Sequence, residues 1–187
     1  MAAQSRMVEL GSTAPDFTLP DAAGGAWALA KVAGDKPVLV AFICNHCPYV
    51  VHIADAFANF AREYQDKGLA VVAIGANDVR SHPQDGPDKM GEFARAHNFT
   101  FPYLYDETQE TAKAYGAVCT PDLFLFDANK KLVYRGQFDS TRPGRGAPTG
   151  ADLRAAADAV LAGRKPSADQ TPSVGCSIKW KPGNAPE

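Results

Sequence analysis

Two cysteines separated by two residues, Cys44 and Cys47, are the residues of this chain best suited to redox chemistry. They follow an apolar run, residues 37–43 (PVLVAFI), and precede an amphipathic stretch that begins at Pro48. The free N–H groups and positive dipole end of a first helical turn stabilise a thiolate and lower its pKa. The i, i+3 spacing lets both sulfurs reach one helix face and close a small-loop disulfide. The pattern predicts a redox-active disulfide, Cys44–Cys47, with no bound cofactor.

Three further side chains could tune or extend this dithiol. His46 immediately precedes Cys47, and a nearby imidazole stabilises a thiolate and makes a disulfide more oxidising; the alternative is a solvent-exposed spacer. Cys119 is either a buried small hydrophobe or a third redox thiol. Cys176, near the C-terminus, is either a resolving or regulatory thiol that folds back onto the site, or a packed or exposed thiol.

Metal binding is an alternative interpretation of the same motif. Zinc sites of this kind need four ligands and a second paired motif, and the sequence has no second CxxC. Cys44, His46 and Cys47 could still act together as soft-metal ligands. Our prediction is that the chain has no metal ligands.

The segments around the dithiol alternate between apolar strands and amphipathic helices. Strands are predicted over 37–43, 69–76, 103–105, 123–127 and 132–136, and helices over 48–67, 89–97, 108–115 and 152–161. A short β-hairpin within residues 11–29 precedes them. This order predicts an α/β three-layer sandwich with a mixed sheet, and places the dithiol at the carboxyl end of a strand. The polar loop 77–88 is long enough to border the site, with its charges expected to be solvated.

Length and composition indicate one domain with two extensions. The chain has 187 residues, which we divide into a flexible arm (1–10), a domain (11–162) and a tail (163–187) with little to add to the core. A net charge of −2 argues against nucleic-acid binding, and no apolar run approaches membrane-spanning length. The N-terminus lacks an apolar signal core, and four cysteines are too few for a disulfide scaffold. We therefore expect a cytoplasmic, reducing environment.

Three motifs coincide with those of a known superfamily. They are Ala14-Pro15-Asp16-Phe17 in the opening hairpin, Cys44-Asn45-His46-Cys47-Pro48, and Thr120-Pro121 before an apolar strand. On these motifs the chain resembles the thioredoxin superfamily, and within it the redoxin group of alkyl hydroperoxide reductase/thiol-specific antioxidant-like thioredoxins. The segment 113–136 is typical of that group, and the tail segment GCSIKWK (175–181) is similar to that of a bacterial subset.

The resemblance implies a thioredoxin-like fold and a set of residue roles. Pro121 would be cis and would pack beside the dithiol, with Asn45, His46, Pro48 and Thr120 in supporting positions. A cis proline turns the backbone of Thr120 toward the site, where an extended substrate could pair with it. The resemblance also implies that Cys44 is the exposed, attacking thiol and that Cys47 is the buried, resolving thiol.

The sequence departs from two related patterns. Many thioredoxins have a tryptophan before the first cysteine and a buried acid on the preceding strand, but Ile43 precedes Cys44 and that strand has no acid. The proton acceptor for Cys47 is therefore not identified. Peroxiredoxins carry Pro-x-x-x-Thr/Ser-x-x-Cys, and counting back from Cys47 puts Cys44 at the Thr/Ser position and Val40 at the proline position. This second departure argues against peroxidase activity.

The resulting functional prediction is a thiol–disulfide oxidoreductase that acts in redox homeostasis. Its substrates would be protein or small-molecule disulfides, and a thioredoxin or glutathione system would be its electron partner. One alternative is a thiol-dependent, antioxidant peroxidase, in which peroxide oxidises one cysteine and another resolves it. The other is a non-catalytic module that binds a metal or a partner.

Overall fold

The structure, a computed structural model, describes all 187 residues. The strands are β1 (Ala2–Gln4), β2 (Thr18–Pro20), β3 (Ala26–Ala28), β4 (Val38–Phe42), β5 (Ala70–Gly75), β6 (Tyr103–Tyr105), β7 (Cys119–Thr120), β8 (Asp122–Phe126), β9 (Leu132–Arg135) and β10 (Val174–Ser177). The helices are α1 (Leu29–Ala33), α2 (Pro48–Asp66), α3 (Pro87–Ala96), α4 (Glu110–Tyr115) and α5 (Ala151–Leu161), with a 3-10 turn at Pro83–Asp85. No helix combines the length and the apolar character needed to cross a membrane.

A mixed five-stranded sheet forms the centre of the fold. Its order is β6-β5-β4-β8-β9, in which β4, β5 and β6 are parallel and β8 and β9 are antiparallel to their neighbours. Strand β4 lies in the middle of this sheet and all five of its residues are buried. Because its carboxyl end leads directly to the cysteines, the central, fully buried strand of the sheet positions them. The predicted thioredoxin-like mixed α/β sandwich is confirmed.

The two faces of β4 supply two separate cores. Leu39 and Ala41 point into one core, where they meet the apolar face of α2, and Val38, Val40 and Phe42 point into the other. This alternation follows from the two-residue period of a strand. The sheet is therefore covered on both faces, as the continuous apolar run predicted.

Helix α2 begins where the dithiol ends. Cys47 is its N-cap residue and Pro48 is its first residue, a position that tolerates proline because its N–H would have no intrahelical partner. The apolar face seen in the sequence is buried along the helix, through Val50, Ile53, Phe57, Phe60 and Tyr64. Packing of this face against the sheet fixes the N-terminus of the helix, and so the cysteines.

Both chain ends differ from the sequence expectation. Residues 2–4, predicted as part of a loose arm, form β1, and residues 174–177, predicted as part of a tail with little to add to the core, form β10. Together with β7 they make a second sheet in the order β1-β10-β7. Ile178, just after β10, is 3 % exposed and belongs to the second core. The local sequence pattern did not predict these two strands, because each is formed by pairing with a segment at the opposite end of the chain.

Candidate active site

The dithiol lies at the junction of β4 and α2, where the sequence placed it. Cys44 is two residues beyond the end of β4, and Cys47 caps α2. Both are thiols in this structure. The Thr120–Pro121 peptide bond is cis, as the resemblance implied. The Sγ atom of Cys44 lies 3.4 Å from Thr120 Oγ1, and the Cys47 thiol donates to the Thr120 carbonyl oxygen at 3.3 Å. The CxxC and the segment before Pro121 therefore form one site.

Cys44 is not the exposed thiol that the resemblance implied. It is 2 % exposed, Cys47 is 0 % exposed, and both belong to the main core. Two hydrogen bonds hold the side chain of the adjacent Asn45 in place. Its Nδ2 donates to Gln84 O at 3.0 Å, and its Oδ1 accepts from the Tyr103 hydroxyl at 2.9 Å. These contacts hold the motif against the protein, so access to either sulfur requires a neighbouring segment to move.

Hydrogen bonding distributes charge unequally between the two sulfurs. The Cys44 thiol donates to the Cys47 sulfur, which lowers the pKa of Cys47 to about 5 and raises the pKa of Cys44. Burial opposes charge on both residues, but the Cys176 thiol and the backbone N–H groups of Val50 and Cys176 further stabilise a charged Cys47. The negative charge of Asp85 further raises the pKa of Cys44. The thiolate of the reduced pair is therefore favoured on Cys47, whereas the resemblance gave the attacking role to Cys44.

The buried carboxylate of Asp85 holds the two middle residues of the motif. Its Oδ1 accepts the backbone N–H of Asn45 at 2.8 Å, and its Oδ2 accepts from Asn77 Nδ2 at 2.9 Å. The same Oδ2 lies 2.7 Å from His46 Nδ1. The expectation that the charges of loop 77–88 are solvated is wrong for Asp85 and for Asp78, each 4 % exposed. The loop folds inward because these carboxylates bind nearby N–H groups of the chain.

His46 contacts both a carboxylate and a second imidazole. Its ring stacks on that of His82 with centroids 5.3 Å apart and an interplanar angle of 21°. Its Nδ1 is buried and, despite the short contact with Asp85, has no aligned hydrogen-bond partner. Burial lowers the pKa of His82, and the adjacent His46 lowers it further. His46 is thus a packed part of the site, and its tuning of the dithiol stays a prediction.

Three side chains of the site could hold a metal ion. One ligand atom from each of Cys44, His46 and Asp85 lies within 4.8 Å of the other two. The metal-binding alternative drawn from the sequence named Cys47 in place of Asp85. Thiolate, imidazole and carboxylate are all ligands that zinc accepts, and three protein ligands would leave a fourth position open.

Cys119 is buried on the other face of its strand. It immediately precedes Thr120 in β7, and successive strand residues point to opposite faces. It is 0 % exposed, and burial, followed by the charge of Asp122, raises its pKa. This placement fits the buried-hydrophobe alternative for Cys119.

Cys176, in contrast, is brought to the dithiol by the tail. In the antiparallel pair of β10 and β7, Cys176 lies opposite Thr120. Its side chain packs against the core cluster that contains Cys44 and Cys47, and its thiol helps to lower the pKa of Cys47. The site therefore contains three neighbouring thiols.

Sequence reasoning missed four residues that shape the site. Asp85 and Asn77 lie in the polar loop, whose length was the one signal that it borders the site, and Tyr103 looks like an ordinary residue of an apolar strand. Gly175 is a fourth case, since only the structure shows how closely it approaches Thr120. Each acts across a long separation in the chain, which a local pattern does not encode.

Comparison with known proteins assigns a family to this chain. The model of the AhpC/TSA family matches residues 10–135. The chain belongs to the AhpC/TSA family. It is similar to "Peroxiredoxin Q, chloroplastic" of Oryza sativa subsp. japonica, with 33 % identity over 143 residues, 70 % of this chain and 61 % of that protein. It is also similar to the thiol-disulfide oxidoreductase ResA of Geobacillus thermodenitrificans, with 29 % identity over 125 residues, 67 % of each chain. The chain thus spans about two thirds or less of the length of these curated relatives.

A solved structure extends the similarity to the tail. The crystal structure of a hypothetical protein from Sinorhizobium meliloti superposes with a TM-score of 0.94 and 52 % identity, covering 96 % of this chain and 99 % of that one. The AhpC/TSA match ends at residue 135, so this second similarity reaches beyond the family region. The resemblance to thioredoxin-like redoxins is confirmed.

Proposed function

We propose that this protein is a thiol–disulfide oxidoreductase whose redox centre is the Cys44–Cys47 dithiol. The observation that carries the proposal is that both sulfurs meet at Thr120 at the start of α2, with Cys44 Sγ 3.4 Å from Thr120 Oγ1 and Cys47 Sγ 3.3 Å from Thr120 O. Two cysteines held this close together can interconvert between dithiol and disulfide. Membership of the AhpC/TSA family and the similarity to ResA support this chemistry.

Reduction of a substrate disulfide takes two exchange steps. One cysteine thiolate attacks a substrate sulfur, forms a mixed disulfide and releases the other substrate sulfur as a thiolate. The second cysteine then attacks the first, which closes Cys44–Cys47 and releases the second substrate thiolate. Two electrons pass to the substrate, so a thioredoxin- or glutathione-type partner must return two electrons in a reducing, cytoplasmic environment. The substrates are protein or small-molecule disulfides, and the chemistry needs no bound cofactor.

Reduction of insulin disulfides tests the proposal. We expect Cys44→Ser and Cys47→Ser to abolish turnover, and Cys119→Ala, a matched change of a buried cysteine on the other strand face, to retain it. Trapping separates the roles of the pair: if Cys44 attacks, Cys47→Ser accumulates a mixed disulfide on Cys44. If both serine variants still reduce every disulfide substrate tried, the proposal is wrong.

Peroxide reduction is the second candidate, favoured by the stabilised thiolate on Cys47. That residue occupies the cysteine position of the peroxiredoxin pattern, and relatives in the family are peroxiredoxins. In this reaction the Cys47 thiolate attacks a peroxide oxygen, becomes a sulfenic acid and releases an alcohol or water; a second thiol then forms a disulfide and releases water. Because Cys44 stands at the Thr/Ser position and Cys47 is fully buried, we expect a slow rate. A peroxide-consumption assay with Cys47→Ser as control separates this candidate from the first.

A further inference from the structure

The C-terminal strand occupies the place beside Thr120 where an extended substrate was expected to pair. Cys176 of β10 lies opposite Thr120. Two residues further along the same ladder, the N–H of Ile178 donates to Val118 O at 2.9 Å. Because hydrogen-bonded pairs recur at every second position of an antiparallel ladder, Cys176 and Thr120 are also a hydrogen-bonded pair. Side chains of such a pair share one face of the sheet, and the Thr120 side chain contacts the dithiol.

The residues of the tail allow β10 to lie very close to Thr120. A Cβ atom on Gly175 would lie 1.9 Å from the carbonyl oxygen of Thr120, so no larger residue fits there. On one side of β10, the Ser173 hydroxyl donates to Pro121 O at 2.5 Å. On the other side, the N–H of Lys179 donates to Asn77 Oδ1 at 2.9 Å. These contacts, one before Cys176 in the chain and one after it, hold Cys176 beside the dithiol.

Exposure distinguishes Cys176 from the other cysteines. Cys44, Cys47 and Cys119 are buried, whereas Cys176 is partly exposed. Cys176 also packs against the cluster that contains Cys44 and Cys47. It therefore contacts both the solvent and the buried pair.

We propose that Cys176 is a third exchanging thiol, presented by the tail as a built-in substrate strand, and that it connects the buried dithiol to external thiols. The proposal rests on the proposed function, because it needs a Cys44–Cys47 disulfide. In the oxidised protein the Cys176 thiolate attacks the sulfur of Cys47, so the 47–176 bond forms and the 44–47 bond breaks. The electron pair leaves on the Cys44 sulfur, which takes up the proton given up by Cys176. The protein holds one disulfide before and after, so no oxidant or reductant is consumed.

Exchange with the solution then takes place at Cys176. An external thiolate attacks the sulfur of the partly exposed Cys176, forms a mixed disulfide there and releases Cys47 as a thiolate. A second external thiol attacks the mixed disulfide and leaves the protein fully reduced, with the external pair oxidised. The reverse sequence oxidises the protein: an external disulfide reacts at Cys176, Cys47 attacks Cys176, and Cys44 then attacks Cys47.

Disulfide mapping of two variants tests the proposal and separates it from the proposed function. Each protein is incubated with oxidised glutathione until its free-thiol content is constant, so that slow oxidation without Cys176 does not decide the result. It is then quenched in acid, digested and analysed by mass spectrometry. We expect Cys44→Ser to form a Cys47–Cys176 disulfide and Cys176→Ser to form Cys44–Cys47. If Cys44→Ser forms no Cys47–Cys176 bond while Cys176→Ser forms Cys44–Cys47, the tail proposal is overturned and the proposed function stands. If Cys176→Ser forms no Cys44–Cys47 bond, the proposed function fails.

The rate of exchange gives a second, independent test. The oxidised protein is mixed with reduced glutathione, and the appearance of free thiols is followed with time. We expect Cys176→Ser to slow reduction at least tenfold, and Cys119→Ala to leave the rate within twofold of the unchanged protein. Equal rates for Cys176→Ser and the unchanged protein would show that glutathione reaches the buried pair directly, and would overturn the relay. Circular dichroism spectra that match for all variants ensure that folded proteins are compared.

Discussion

The carboxylate of Asp85 accepts the backbone N–H of Asn45 at 2.8 Å, across a separation of 40 residues. A buried acid therefore lies beside the dithiol, although the strand before the cysteines carries none. It comes from the loop after β5, and its oxygen lies within 4.8 Å of the Cys44 sulfur. The charge of Asp85 thereby helps to set which cysteine keeps the proton.

Replacing this carboxylate should make the disulfide more oxidising. The negative carboxylate of Asp85 lies within 4.8 Å of the Cys44 sulfur and raises the pKa of Cys44. Because this charge opposes negative charge on the dithiol as a whole, Asp85→Asn should stabilise the reduced, ionised pair. We expect the reduction potential to become more positive by roughly 30 mV, which corresponds to about 1.4 kcal/mol for a two-electron couple. The reduction potential is measured by equilibrating the protein with mixtures of reduced and oxidised glutathione. Asp78→Asn, a change of the same kind at an equally buried position of the loop, is the control; equal potentials for the two variants would contradict the role of Asp85.

Titration of the reduced protein should reveal a thiolate at low pH. With the pKa of Cys47 lowered to about 5 by the Cys44 hydrogen bond, the ultraviolet absorbance of the thiolate should rise with a midpoint near that pH. Cys47→Ser should abolish this transition, and Cys44→Ser should move it to higher pH because the donor is lost. A transition near pH 5 that persists in Cys47→Ser would assign the charge to another cysteine.

A methyl group at position 175 should displace the tail strand. Because its Cβ would lie 1.9 Å from Thr120 O, Gly175→Ala forces β10 away from β7. We expect a loss of about 1–3 kcal/mol in the free energy of unfolding, the range for overpacked sites, measured by urea denaturation. Hydrogen exchange should also accelerate in β1, which pairs only with β10. Ser177→Ala, in the same strand, is the control, and unchanged exchange in β1 for Gly175→Ala would contradict the close approach.

The buried Asp122 should make stability depend on pH. Burial raises its pKa to about 6 from 3.8, against hydrogen bonds from Ser5 and Val118 that lower it. A pKa raised on folding means that the native state binds the proton more tightly, so the contribution is full below pH 3.8 and is lost as pH rises to about 6. The expected loss in the free energy of unfolding is about 3 kcal/mol. Urea denaturation at a series of pH values should show that the free energy of unfolding of the unchanged protein falls as pH rises. The fall should be smaller for Asp122→Asn, because asparagine mimics the protonated acid. An equal fall in both proteins would contradict the role of Asp122.

The parts of this protein that sequence alone predicts are those with short-range causes. The apolar run of β4, the helical period of α2 and the CxxC between them predict the strand, the helix and the dithiol at their junction, and the structure places all three accordingly. Thr120 and Pro121 reach the site because strands carry them there in the fold that the resemblance implied.

The remaining parts depend on pairings that local patterns do not contain. Ala2–Gln4 has no strand signal of its own, and its order comes from Val174–Ser177 at the other end of the chain. Likewise, nothing around Asp85 in the sequence indicates that its carboxylate turns inward to bind Asn45. The burial of Cys44, which contradicts the role implied by the resemblance, has the same origin in contacts from distant segments.

The position of β10 also bears on how the protein is made. Strand β1 is synthesised before the whole central sheet, whereas its partner β10 is synthesised after it. During translation the edge of β7 beside Thr120 stays open, because the segment that pairs with it has not yet been produced. A nascent chain can fold its central sheet early from nearer contacts, but its three-thiol site is complete only after β10 has been synthesised.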